Sequence, residues 1–203
     1  MIVVIRHGET MGNARRVLQQ PETPLSDRGL AQARRVAERL AEENIEAIWS
    51  SDYARARMTA EAIRAVGSAP LSIDVRLRER NFGDLRGRAY ADLSFDPFAA
   101  GYTPPGGESW DDLHGRVDEV WERVADAASG MAGDLVVVTH GLVCHSLTSR
   151  HLDTSEVGEV TSGFGNTSVT LVDAVVPHTV RLLGCTAHLD DETAHDHRTV
   201  SGL

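Results

Sequence analysis

Cysteine is scarce in this chain and long apolar runs are missing from it. Its 203 residues include two cysteines, Cys144 and Cys185. Two distant thiols make no disulfide framework, so stability must come from a packed core. The opening run Met1-Ile2-Val3-Val4-Ile5 meets charge at Arg6. That is too short for a signal peptide or a membrane span, and a cytoplasmic location is the expectation. Positive charge is also in deficit. A formal net charge of −10 and a pI near 5.3 argue against nucleic acid or an anionic membrane as partner. An anionic small substrate stays open, because a few clustered arginines dominate the field inside a cleft.

What is present is ordinary core-forming composition. Hydrophobic residues make up 41% and charged residues 25%, which does not indicate disorder. Short β-branched runs alternate with helical patterns, the mark of a sheet flanked by helices. Ile2 to Ile5 and Leu135 to Val138 are unbroken apolar runs and are read as strands buried on both faces. Further strands are expected at Ala47–Trp49, Leu71–Val75, Val169–Val172 and Val180–Leu183. Ser26 and Asp27 open one helix, and Asp52 is read as the cap of a second. Ser109-Trp110-Asp111-Asp112 starts a third, and Gly141 a fourth that runs to about His151. Glycines and prolines crowd residues 80–108, which reads as loop with a short helix. No repeat or linker interrupts the chain, so a single domain over 1–203 is expected, with a short lid-like segment at about 86–108.

Ligands of such sheets bind beyond the carboxyl ends of the strands. Two strands end alike: Ile5-Arg6-His7-Gly8 and Val138-Thr139-His140-Gly141. Each delivers a histidine to that edge, then a glycine that lets the chain turn and exposes amides. Arg55, after the second strand, and Glu79, after the third, complete a crevice of two histidines, two arginines and a carboxylate. This mix suits phosphate. Guanidinium forks pair with phosphate oxygens, and a neutral imidazole can attack phosphorus. A carboxylic acid can protonate the leaving alkoxide and later draw a proton from water. No cation is required where guanidinium and imidazole neutralise the transferring group. Each residue also has a plain reading. Arg55 shares an arginine-rich stretch with Arg57 and Arg64, and Glu79 stands among Arg76, Arg78 and Arg80, where a surface ion-pair cluster is as ordinary.

Taken in order, the motifs resemble the histidine phosphatase superfamily, with its phosphoglycerate-mutase-like fold. Arg6-His7-Gly8-Glu9-Thr10 with Asn13 and Pro24-Leu25-Ser26, Ser50-Ser51-Asp52 with Arg55-Ala56, Leu77 to Gly83, Pro105 to Ser109 and Thr139-His140-Gly141 carry the likeness across nearly the whole chain. The resemblance implies a three-layer α/β/α sandwich around a mainly parallel sheet. It implies His7 as the phosphohistidine and Glu79 as general acid and base. Arg6, Arg55 and His140 would surround the phosphate, with Asn13 donating to it and Gly141 beside it, and no metal or cofactor would take part. Glu108 is a weaker second carboxylate near the leaving group. Gln20 and Arg86 depart from the family pattern at the substrate rim.

The Pro-Pro-Gly-Gly-Glu-Ser run and the short span from Glu79 to Glu108 look more like the phosphatase branch than the mutases, which need a closing lid. A metal hydrolase built on His188, His195 and His197 in the acidic tail competes weakly, as none of them sits at dependable ligand spacing. Cys144 falls one turn into a helix on its packed face and reads as a small buried thiol, not a nucleophile. The expected partner is a small phosphorylated substrate, with neither nucleic acid nor membrane; a homodimer is compatible with the chain. Sugar phosphates, phosphoglycerates, nucleotide fragments and phosphoamino acids all suit such a pocket, so specificity falls to Arg86 through Ser109.

Overall fold

The computed structural model describes residues 1–158 and 163–189. Six strands form one sheet: β1 (Ile2–Arg6), β2 (Ile45–Ser50), β3 (Leu71–Ile73), β4 (Asp134–Thr139), β5 (Val169–Val172) and β6 (Val180–Cys185). Their spatial order is β3-β2-β4-β1-β5-β6. The first four run parallel; β5 is antiparallel to β1, and β6 to β5. The helices are α1 (Met11–Ala14), α2 (Asp27–Leu40), α3 (Ala54–Arg64), α4 (Trp110–Ser129) and α5 (Gly141–Arg150). No helix among the described residues is long and apolar enough to cross a membrane.

Side chains alternate across a strand, so the apolar runs of β1 and β4 must feed two cores. They do. Ile2, Val4, Leu135 and Val137 pack with α4, α5 and the segment leading to Phe82 and Leu85. Val3, Ile5, Val136 and Val138 face the other way, onto Val36, Ala37 and Leu40 of α2 and Ala56, Ala60 and Ile63 of α3. The result is the expected three-layer α/β/α sandwich.

Local signals hold at most helix starts. Ser26 caps α2 by accepting the Gly29 amide at 3.0 Å, and Ser109 forms a reciprocal capping box with Asp112 at α4. The reading of Asp52 as a cap is corrected. Tyr53 holds the cap position of α3 with no side-chain bond, while Asp52 accepts from Arg78 Nε at 2.7 Å. A bidentate guanidinium is the stronger partner for a carboxylate, and the helix start is held otherwise. The third strand is also shorter than expected. It ends at Ile73, and Val75–Leu77 is a 3-10 turn capped by Asp74. Between residues 83 and 108 the chain is loop with short 3-10 turns at Gly83–Leu85 and Tyr90–Asp92. This segment is tied down by Leu18 N to Arg88 O (2.9 Å) and Tyr90 N to Arg16 O (2.9 Å).

Candidate active site

The central pair of strands creates the site. β1 and β4 are parallel neighbours with Arg6 opposite Thr139, so the next residues, His7 and His140, emerge side by side. The His7 amide donates to Thr139 O at 3.0 Å, and the two rings meet edge to face with centroids 5.0 Å apart. Both are buried. The His7 turn is pinned from three sides. Thr59 Oγ1 accepts the Gly8 amide at 3.1 Å, Asn166 Nδ2 donates to His7 O at 2.9 Å, and α2 begins hard against the strand end. There Gly8 and Gly29 have no room for a side chain; a Cβ on Gly29 would lie 1.9 Å from Glu9 O.

The tautomer of His7 follows from its neighbours. Nδ1 lies 2.7 Å from the Gly8 carbonyl, which only accepts, so Nδ1 carries the proton. The lone pair is then on Nε2, which accepts from Arg55 Nε at 3.2 Å. Burial, with Arg55 and then Arg6 adding repulsion, holds the ring's pKa well below its ordinary value. Desolvation is the larger cause. His140 is depressed likewise, by burial first and then Arg55. Its Nε2 lies 2.9 Å from Ser51 Oγ, while Nδ1 is buried with no hydrogen bond.

Arg55 is buried rather than on a solvated face, and donates to the Gln20 carbonyl at 3.1 Å. That contact uses the backbone of Gln20, so the departure at this position costs the site nothing there. Burial lowers Arg55 to about 10, still charged at neutral pH. Arg6 donates to Phe164 O. Asn13, in α1, uses its Oδ1 on the Thr10 amide (3.1 Å), which leaves its Nδ2 donors for the pocket. Arg6, His7, Asn13, Arg55, Glu79 and Gly141 share one small cavity of about 50 Å³, lined also by Tyr90 and Phe98. That is space for on the order of one or two waters.

Glu79 escapes its arginine neighbours. Arg76 pairs with Asp74, Arg78 with Asp52, and Arg80 points away into the loop segment, donating to Glu108 O at 3.0 Å and to Tyr102 O. Glu79 instead accepts the Arg80 and Leu142 amides at 3.0 and 3.3 Å. Burial pushes its carboxyl up despite those amides and the nearby Arg55 and Arg6. Gly141 stands beside it; a Cβ there would fill the space between Arg6 Nε (3.7 Å) and Glu79 Oε2 (3.9 Å). Glu108 is bound bidentately by Arg116, both distances 2.8 Å, and also accepts the Asn81 amide at 2.8 Å. It fastens the loop, with both oxygens committed to Arg116 and the Asn81 amide.

Sequence reasoning gave no role to Ser51, Tyr53, Asn166 or Phe164. Ser51 was visible only as part of a motif, and Asn166 and Phe164 lie far along the chain with no pattern to mark them. The weaker candidates fare as expected of bland residues. Cys144 is buried and its thiol is pushed up to about 12 by burial. His188 lies 3.2 Å from Arg39 Nη1, company that repels a cation. His195, His197 and the acidic residues around them lie outside the described residues.

Two parallel strand ends thus bring two histidines, clustered guanidiniums and a carboxylate together at one edge of an α/β sandwich, a set whose chemistry suits phosphoryl transfer. Residues 2–178 match the family model of the histidine phosphatase superfamily, branch 1. The chain belongs to this family and is an enzyme of its phosphomonoesterase type. Phosphoglycerate mutase-like protein 4 of Arabidopsis thaliana is 42% identical over 162 residues, 73% of this chain and 70% of that one. The metal-independent phosphoserine phosphatase of the same plant is 37% identical over 172 residues, 78% and 71%. Among solved structures, a mycobacterial glucosyl-3-phosphoglycerate phosphatase in complex with VO3 aligns with TM-score 0.73 at 29% identity, over 85% of this chain and 90% of its own. Bacillus stearothermophilus YhfR aligns with TM-score 0.78 at 30% identity, over 92% and 98%.

Proposed function

We propose that this enzyme hydrolyses a small phosphorylated metabolite through a phosphohistidine on His7, without a metal. The observation that carries the reading is the His7 ring, uncharged and oriented by Gly8 O so that Nε2 presents its lone pair beside Arg55. When a phosphate enters, the Arg55 guanidinium moves from that lone pair to the phosphate oxygens, joined by Arg6, Asn13 Nδ2 and the unmet Nδ1 of His140. Nε2 attacks phosphorus in line, and Glu79, its pKa raised toward the acid form, gives a proton to the departing oxygen. The carboxylate then takes a proton from water as that water's oxygen attacks phosphorus; the P–Nε2 bond breaks, releasing inorganic phosphate and neutral His7. Two guanidiniums supply the positive charge a metal cation gives elsewhere, and the neutral His140 ring adds a hydrogen-bond donor.

Hydrolysis is preferred to mutase-type transfer because Glu79 also borders a larger open cleft, so water reaches the residue that would activate it. Relatives named as phosphatases of phosphoserine and of glucosyl-3-phosphoglycerate favour the same choice. The test is rapid acid-free quenching during turnover of p-nitrophenyl phosphate. The expected product is a phosphorylated protein, acid-labile and alkali-stable, that is absent in His7→Ala along with phosphate release. Turnover by the His7→Ala protein, or turnover without such an adduct, would overturn the reading. Interconversion of phosphoglycerates without net phosphate release would favour the mutase.

A further inference from the structure

Beside the small phosphate chamber lies a cleft of about 780 Å³ that shares Tyr53 and Glu79 with it. A substrate with its phosphorus at His7 and its ester oxygen at Glu79 must place the rest of its leaving group in this cleft. The charges on its walls are therefore the charges the leaving group meets.

Four arginines line the cleft, and the chain has no lysine. Three are neutralised by a carboxylate of the same wall: Arg57 by Glu61 at 2.9 Å, Arg78 by Asp52 at 2.7 Å, and Arg116 by Glu108 at 2.8 Å. Arg86 differs. It is half-buried and donates through Nη2 to the Tyr53 hydroxyl at 2.8 Å, and no carboxylate among the described residues pairs with it. Of the remaining acids, Glu22 is exposed at the rim, where water screens it, and Glu79 is held toward its neutral form. The inner wall is thus left with one uncompensated charge, and it is positive.

Tyr53 also fixes where that charge sits. The His140 ring meets the Tyr53 ring edge-on at 5.3 Å, and the Arg55 guanidinium lies 5.1 Å from its centroid. The hydroxyl end of the same ring carries Arg86. Arg86 is therefore one tyrosine ring away from the phosphate cradle, on the leaving-group side.

Resting on the hydrolytic reading above, we propose that Arg86 selects substrates whose leaving group bears its own anionic group, a carboxylate or a second phosphate, bound by the Arg86 guanidinium fork. A neutral alcohol such as a glycerol would leave that charge unanswered.

The experiment compares matched substrates that differ in one charge. 3-Phosphoglycerate against glycerol 3-phosphate tests a carboxylate; propanediol bisphosphate against propanediol monophosphate tests a second phosphate. The wild-type enzyme should prefer the charged member of at least one pair about tenfold or more in kcat/KM. Arg86→Leu should collapse that ratio toward one, mostly through KM, and Arg86→Lys should restore part of it. A role exercised only through Tyr53 would slow both members equally and leave the ratio intact, which would overturn the proposal. So would a wild-type enzyme with no preference in either pair. Calorimetric binding of non-hydrolysable phosphonate versions of the same pairs asks the question without turnover. If p-nitrophenyl phosphate releases no phosphate but Arg86→Leu abolishes the binding preference, hydrolysis fails while the role of Arg86 stands.

Discussion

Arg55 Nε donates to His7 Nε2 across 3.2 Å, so the cation that would grip the phosphate rests on the nitrogen that would attack it. The same contact keeps the ring from accepting a proton, since a second positive charge would face the guanidinium at hydrogen-bond distance. Replacing Arg55 with Gln removes the charge but keeps a donor of shorter reach. The His7 pKa should then rise toward 6.5, though burial will still hold it lower, because desolvation is the larger cause. NMR titration of the ring checks this. kcat/KM should fall on the order of 10²- to 10³-fold, as for loss of one charge-stabilising donor. An unchanged His7 titration would refute the coupling.

The pH profile follows from two opposite shifts. His7 must be neutral, and its folded pKa lies well below 6.5, so the acid limb of kcat/KM should fall below that value. Glu79 must be protonated, and its folded pKa is raised above 4.5, so activity should decline on the alkaline side as that proton is lost. An acidic to neutral optimum results, and a rate still climbing above pH 9 would contradict it. Stability has its own signature. His7 and His140 have depressed folded pKa values, so their contribution is present above the unfolded value of 6.5 and is lost as pH falls through the folded values. Melting temperature should therefore drop on acidification below about 6.5. Glu79 acts in the opposite sense, since its raised folded pKa removes stability as pH rises through it.

Glu79→Gln keeps one acceptor oxygen for the Arg80 or the Leu142 amide, sets its NH2 against the other, and carries no transferable acidic proton. Alkyl phosphates, whose leaving groups need protonation, should slow by about 10²- to 10⁴-fold, and phenolic esters much less. The alkaline limb of the pH profile should flatten at the same time. Equal losses for both ester classes would remove Glu79 from the role of acid.

Gly29→Ala probes the seat of the nucleophile without touching it. The added methyl would meet Glu9 O at 1.9 Å in a helix start that packs on the His7 loop. Backbone must move, at a cost of roughly 2–3 kcal/mol typical of overpacking. Chemical denaturation should report that loss, with kcat reduced because the loop carrying His7 shifts. A variant as stable and as active as the parent would contradict this tight approach.

Much of this site was legible one element at a time. Apolar runs at Ile2–Ile5 and Leu135–Val138 announced strands covered on both faces, and the matching His-Gly endings marked where chemistry would lie. Ser26 and Ser109 announced helix starts through side-chain oxygens three residues from the amides they bind. Asp52 misled because its competing partner, Arg78, is 26 positions away. Local patterns carry no information about such a partner.

Which residue types stand at strand ends is written in the order of the chain, and its periodicity sets which faces of the strands and helices are apolar. Those follow from interactions within a turn or two of chain. Folding alone placed β4 against β1, which turns two distant histidines into neighbours, and made burial, more than charge, keep them neutral. It also settled which arginines are spent on carboxylates and that Arg86, among the described residues, is not. Desolvation and pairing depend on every group that closes around a side chain, and those groups come from segments that meet only when the sheet is assembled.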